Sequence, residues 1–137
     1  MATTVLKDAF FSLNGTDQSD NVTQLEFSAD LDAVEDTAMG DDSRSYLPGL
    51  RNGTISVTWN QDFSSGDLDS DLWTIYIGDA AVAFEARPSS AGVGVDNPKF
   101  TGSCLLTSFS PISGSVGELA TSPTTLQITG DVTRATS

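Results

Sequence analysis

Alternation is the clearest pattern along the chain. Ile55, Val57 and Trp59 fall on one side of a period-two run, and Thr54, Ser56, Thr58 and Asn60 on the other. That spacing predicts a half-buried strand. Val22 to Leu31 repeats it, with Leu25, Phe27, Ala29 and Leu31 opposed to Gln24, Glu26, Ser28 and Asp30, so the strand from Gly53 to Gln61 is expected to return antiparallel to it. Ala9 to Leu13 reads as a short strand closed by the turn dipeptide Asn14-Gly15. Ala81 to Arg87 places Val82, Phe84 and Ala86 on one face, and Thr125 to Thr133 turns Leu126, Ile128 and Val132 inward. Phe100 to Phe109 is apolar on both faces around Cys104, Leu105 and Leu106, which marks a central strand.

One segment has a helical period. Leu68, Leu72, Ile75 and Tyr76 form a stripe at i, i+4, i+7 and i+8. Asp67, Asp69 and Asp71 stand in the first turn, where the helix dipole favours negative charge; Ser65 or Asp67 is placed to cap it, and Gly78-Asp79 to end it. The sum is one mainly β domain over residues 1–137: an antiparallel sandwich or barrel of six or seven strands, with one flanking helix over about residues 67–77.

Residues 37–50 break the pattern. They have no period and carry charge, yet they hold Met39, Tyr46, Leu47 and Leu50. A connection of this length between paired strands exceeds the usual two to five residues. Apolar side chains with no local burial site are expected to be buried on something else. Ser110 to Pro123 reads as a second long loop, and residues 1–8 as a polar lead.

The charge narrows the possible partners. Nineteen acids against six bases give −13, and residues 1–50 alone hold ten acids and two bases. The bases are isolated along the chain, whereas gripping a phosphate backbone needs them clustered. The acids most open to a wet or partner-facing role are Glu26, Asp30, Asp32, Glu35, Asp36, Asp41 and Asp42. A single cysteine rules out an internal disulfide. No basic region followed by a long apolar run opens the sequence, so synthesis in the cytoplasm and no membrane contact are expected.

Little catalytic chemistry fits. The chain has no histidine, which removes Ser–His and Cys–His pairs and the commonest general base. Ser113-Gly114-Ser115-Val116-Gly117 lacks the first glycine of a nucleophile elbow. Asp67-Leu68-Asp69-Ser70-Asp71 begins like a calcium loop, but Leu72 stands where the turn glycine belongs and Gly78 where the bidentate acid belongs. Trp59 and Trp73 read as core side chains. No enzyme activity, cofactor or metal is expected.

Several motifs recur together: Thr37-Ala38-Met39-Gly40-Asp41, Ser43-Arg44, and Leu47-Pro48-Gly49-Leu50-Arg51-Asn52-Gly53-Thr54 before an alternating strand. Gln61-Asp62-Phe63 precedes the helix, followed by Asn97-Pro98-Lys99-Phe100-Thr101-Gly102 and Ser115-Val116-Gly117. In order and spacing this resembles the major tail tube proteins of long-tailed siphophages. The resemblance implies a structural virion protein, made in the host cytoplasm and placed in the virion tail. It would form homo-hexameric rings that stack into a hollow tube, through which DNA passes during ejection without specific binding. It would also meet tape measure, tail terminator and distal tail proteins. Met39, Arg44, Tyr46, Leu47 and Leu50 would then touch neighbouring subunits and rings, with Arg44 either facing a neighbour's acids or solvated, and Ala2 to Asp8 would help join rings. The alternatives are a capsid decoration or minor virion structural protein and, outside virions, a calcium-dependent adhesion sandwich.

Overall fold

The computed structural model describes residues 5–63 and 68–137. Seven strands make one antiparallel sheet: β1 (Phe10–Leu13), β2 (Thr16–Asp17), β3 (Val22–Glu35), β4 (Tyr46–Asn60), β5 (Val82–Arg87), β6 (Lys99–Phe109) and β7 (Thr121–Ala135). Their order across the sheet is β2-β1-β5-β6-β7-β4-β3. β6, apolar on both faces, is the middle strand.

The sheet curls until its two flanks meet. Phe27 on the outer strand β3 lies 6.3 Å from Phe84 on β5 and 5.7 Å from Phe100 on β6, ring centre to ring centre. Phe11 on β1 meets Trp59 on β4 at 5.7 Å. Strands several places apart in the sheet thus share one sandwiched core, although no pairing joins β2 to β3 among the described residues. The core comprises Phe11, Leu13, Ile55, Val57, Trp59, Phe84, Cys104, Leu126 and Ile128, completed by Leu68, Leu72 and Ile75 from the helix α1 (Leu68–Ile77). Trp59 is wholly buried, and its indole N–H donates to the Thr124 hydroxyl at 3.0 Å. A buried aromatic body with a satisfied polar tip makes a strong anchor. Cys104 is buried with it, and desolvation pushes its thiol up to about 11.

Local chemistry accounts for the turns. Asn14 and Gly15 both have positive φ, 53° and 80°, as a two-residue type I′ hairpin requires. Asp79, at φ 53°, reverses the chain after α1. The expected cap residues Ser65 and Asp67 lie outside the described residues.

Three features differ from the alternation. Trp73 and Tyr76 are half exposed, in contact with each other at 5.4 Å. Of the helical stripe, Leu68, Leu72 and Ile75 are buried and Tyr76 is not. Val132 is not inward: residues 130–132 bulge opposite Gly102, leaving it exposed and unpaired. Leu105 is also exposed, since the outer face of β6 has no covering layer. The third is the loop of residues 37–50, shorter than the sequence suggested. Tyr46 to Leu50 belong to β4, and only residues 36–45 connect the strands.

Candidate assembly surfaces

β3 and β4 run on well past the core. Pairing begins at Val22–Trp59 and continues through Phe27–Ile55, Leu31–Arg51 and Val34–Leu47 to Glu35–Tyr46. The inner part buries Ile55, Val57 and Trp59, but every residue from 29 to 48 is exposed. The outer hairpin is an arm with no core of its own. Seven β-residues from Ala29 to Glu35 extend it by about 20 Å.

The arm tip is held by its own polar groups. The Asp36 N–H donates to the Ser45 carbonyl at 2.9 Å, and the Ser45 N–H to the Thr37 hydroxyl at 2.8 Å. Beyond them the Ala38 N–H donates to Asp41 Oδ2 at 2.7 Å and the Asp41 N–H to the Ala38 carbonyl at 3.2 Å. Gly40, at φ 93°, supplies the left-handed residue that this reversal requires. Met39 sits at the apex, fully exposed.

Both faces of the arm carry apolar side chains. Cross-strand partners share a face, so the pairs Leu31–Arg51, Ala33–Pro48 and Glu35–Tyr46 continue the core-facing side, and Asp30–Asn52 and Val34–Leu47 occupy the other. Asp32 alone faces the two residues Gly49 and Leu50 in a bulge. Position 49 is tight: a Cβ there would meet Asp32 Cβ at 3.0 Å. Leu50 is 81% exposed; Leu31, Val34, Tyr46 and Leu47 are each about half exposed.

Of the residues singled out from sequence, Tyr46, Leu47 and Leu50 therefore lie on the arm's strands, and Met39 and Arg44 at its tip. The acids Asp30, Asp32, Glu35, Asp36, Asp41 and Asp42 share this arm. Glu26 lies further back on β3, opposite Ser56.

A second apolar surface lies at the far end of the body, unanticipated from sequence. Tyr76 bridges Trp73 and Phe109, the latter at 6.5 Å, and Phe63, Ile77, Ile112, Val116 and Leu119 are exposed nearby along the chain. The 110–120 loop is pinned at its base, where Gln61 Nε2 donates to the Pro111 carbonyl at 2.8 Å and Ser122 Oγ to the Ser110 carbonyl at 2.8 Å. The signal was present as Trp73 and Tyr76, three apart on a helix whose buried stripe needs neither.

A cleft of about 620 Å³ opens between the two free flanks of the sheet, lined by Lys7, Asp8, Asp17, Asp20, Val22 and Leu25 among others. Among the described residues no group of three or more acids and cysteines is arranged to hold a metal.

No protein-family model and no curated protein matches the sequence. Solved structures do. The chain is similar to one in the tail of an empty gene transfer agent particle refined with C6 symmetry, at TM-score 0.79 and 18% identity, covering 97% of this chain and 99% of that one. It is similar to the SPP1 tail tube at TM-score 0.74 and 13% identity, covering 95% and 77%. A third likeness is to the tube-terminating cap of the anti-feeding prophage, at TM-score 0.70 and 15% identity, covering 100% and 95%. The chain thus shares its fold with components of phage-like tails.

Proposed function

We propose that this protein is a tail tube subunit of the siphophage type, forming six-membered rings that stack into a tube. The arm carries the reading: twenty consecutive exposed residues, hydrogen-bonded at the tip and apolar on both faces. Covering both faces needs more than one flat partner. In the proposed tube the arm inserts between copies, with Leu31 and Tyr46 against one neighbour and Val34, Leu47 and Leu50 against another. Arg44 faces a neighbour's acids at the tip. The likeness to a C6-refined tail supports six as the ring number.

The charge fits the same role. Six copies of −13 give a ring a formal charge of −78, part of it lining the lumen. A wall of the phosphates' own sign gives DNA no place to stick, so the polymer slides. Each ring contact is heterologous: it closes around six copies and stays open along the axis. Tape measure, terminator and distal tail proteins would cap and gauge the stack.

Negative-stain electron microscopy of the purified chain, over a concentration series, tests this. Hollow tubes or six-fold rings are the expected result. Monomers throughout, with binding to a capsid shell in their place, would overturn it in favour of a decoration protein.

A further inference from the structure

The arm begins where the sheet forks. β7 pairs with β4 from Thr121–Asn60 as far as Gln127–Thr54, and there the pairing stops. Beyond that rung β4 continues with β3 alone, and β7 continues with β6 alone to Ala135–Lys99. Two features favour the split. The bulge of residues 130–132 turns β7 aside just past the fork. Ile128 packs against the backbone at Gly53, where a Cβ would come within 2.8 Å of its Cδ1. Gly53 in turn pairs with Ala29, where the exposed part of β3 starts.

One side chain spans the fork. Gln127 Nε2 donates to Asn52 Oδ1 at 2.6 Å and to the Gly53 carbonyl at 3.0 Å. Both acceptors lie on β4 just past its last pairing with β7. Among the described residues, no other side-chain hydrogen bond reaches residues 29–53 from outside β3 and β4. We infer that Gln127 aims the arm, bridging the fork where the ladder ends and fixing the direction in which β3 and β4 leave the body. Without it the ribbon is held only through its own two strands, and an isolated two-stranded ribbon is weakly ordered in water. The consequence for assembly rests on the tube reading above: an arm already aimed in the free subunit loses less conformational freedom when it meets a neighbour. Both partners of the Gln127 amide are oxygens, so the position calls for a donor. Leu126 and Ile128 on either side are buried in the core, while Gln127 itself points to the other face.

Distances between paramagnetic labels test this. Ala33→Cys places one label on the arm and Ser108→Cys the other on β6, both at exposed positions, while Cys104 is buried. The labelled chain is diluted into a large excess of unlabelled protein, so that pairs within one chain are read. Gln127→Glu sets an acceptor-only carboxylate against two oxygens, and should broaden the distance distribution about twofold. It should also shorten tubes several-fold under the electron microscope. Gln127→Lys, of similar length and donor-only, is expected to keep the parent's width and tube length. Thermal unfolding should be alike in all three. Gly53→Ala should broaden the distribution as well, and adding Ile128→Val, which removes Cδ1, should narrow it again. A Glu variant as narrow as the parent, or a Lys variant as broad as the Glu one, would overturn the inference. So would a loosened arm that still builds tubes of full length. A parent chain that makes neither rings nor tubes would sink the tube reading and leave the aimed arm to be judged by the distances.

Discussion

The register of β3 with β4 runs, through two bulges, from Val22–Trp59 to Glu35–Tyr46, yet its two halves have different fates. In the inner half, Leu25, Phe27, Ile55, Val57 and Trp59 enter a shared core with β1, β5, β6, β7 and α1. In the outer half, Leu31 and Tyr46 continue the core-facing side with nothing over them, and Val34 and Leu47 stand equally exposed on the opposite face. Alternation therefore specifies a strand and its faces but not what covers them. An isolated two-stranded hairpin is at best marginal in water, so the outer half lacks the support within its own chain that the core gives the inner half.

The largest effect should come from the body. Trp59→Ala removes a fully buried ring and leaves Thr124 Oγ1 without its donor, at an expected cost of about 3–5 kcal/mol. Denaturant unfolding measures it. A cost below about 1 kcal/mol would show that the core is not centred where the burial places it. Leu47→Asp with Leu50→Asp should do the reverse, abolishing tubes under the microscope while changing unfolding free energy by less than about 0.5 kcal/mol. Tubes that still form would remove the arm from assembly.

Hydrogen exchange would sharpen the contrast. In the free protein, amides of residues 29–51 are expected to exchange quickly through local opening and those of β6 and β7 slowly, with the arm protected once rings stack. Equal slowness in both states would mean that the arm is supported within its own chain. Cys104 gives a check confined to the body. With its thiol pushed up to about 11 by burial, it remains protonated and hidden at pH 8, so alkylation reports opening of the core. The pH sign follows: the unfolded thiol ionises near its ordinary value of 9.0 and the folded one only near 11. This group therefore supports folding fully below pH 9 and loses that support progressively up to pH 11. Labelling that speeds up in the Leu47→Asp, Leu50→Asp variant would show that arm and body are coupled.

The smallest effect is at the tip. Gly40→Ala places a side chain at φ 93°, costing about 1 kcal/mol of local hairpin order. It should slow assembly while leaving body unfolding unchanged.

Period two located six of the seven strands and missed the two-residue β2. The apolar run around Cys104 pointed to the middle strand, although only one of its faces is covered and Leu105 is exposed. The arm was legible only in part. Tyr46 to Leu50 read as loop because Pro48 and Gly49 interrupt the alternation, and the bulge that accommodates them opposite Asp32 depends on the partner strand. Trp73 reads as core because it lies within an ordered element, yet it stands off the apolar stripe and is half exposed. Val132 reads as inward from the alternation of β7, and the bulge at residues 130–132 takes it out of pairing.

The arm's separation from the core has a consequence for how such a protein can diverge. Residues 29–48 are all exposed, so in the proposed tube they could change with little disturbance to the core while altering the contacts between copies. A new set of side chains at Leu31, Val34, Tyr46 and Leu47 would be read only by the copies around it. Two related chains produced together could in this way keep their polymers unmixed while retaining an identical body.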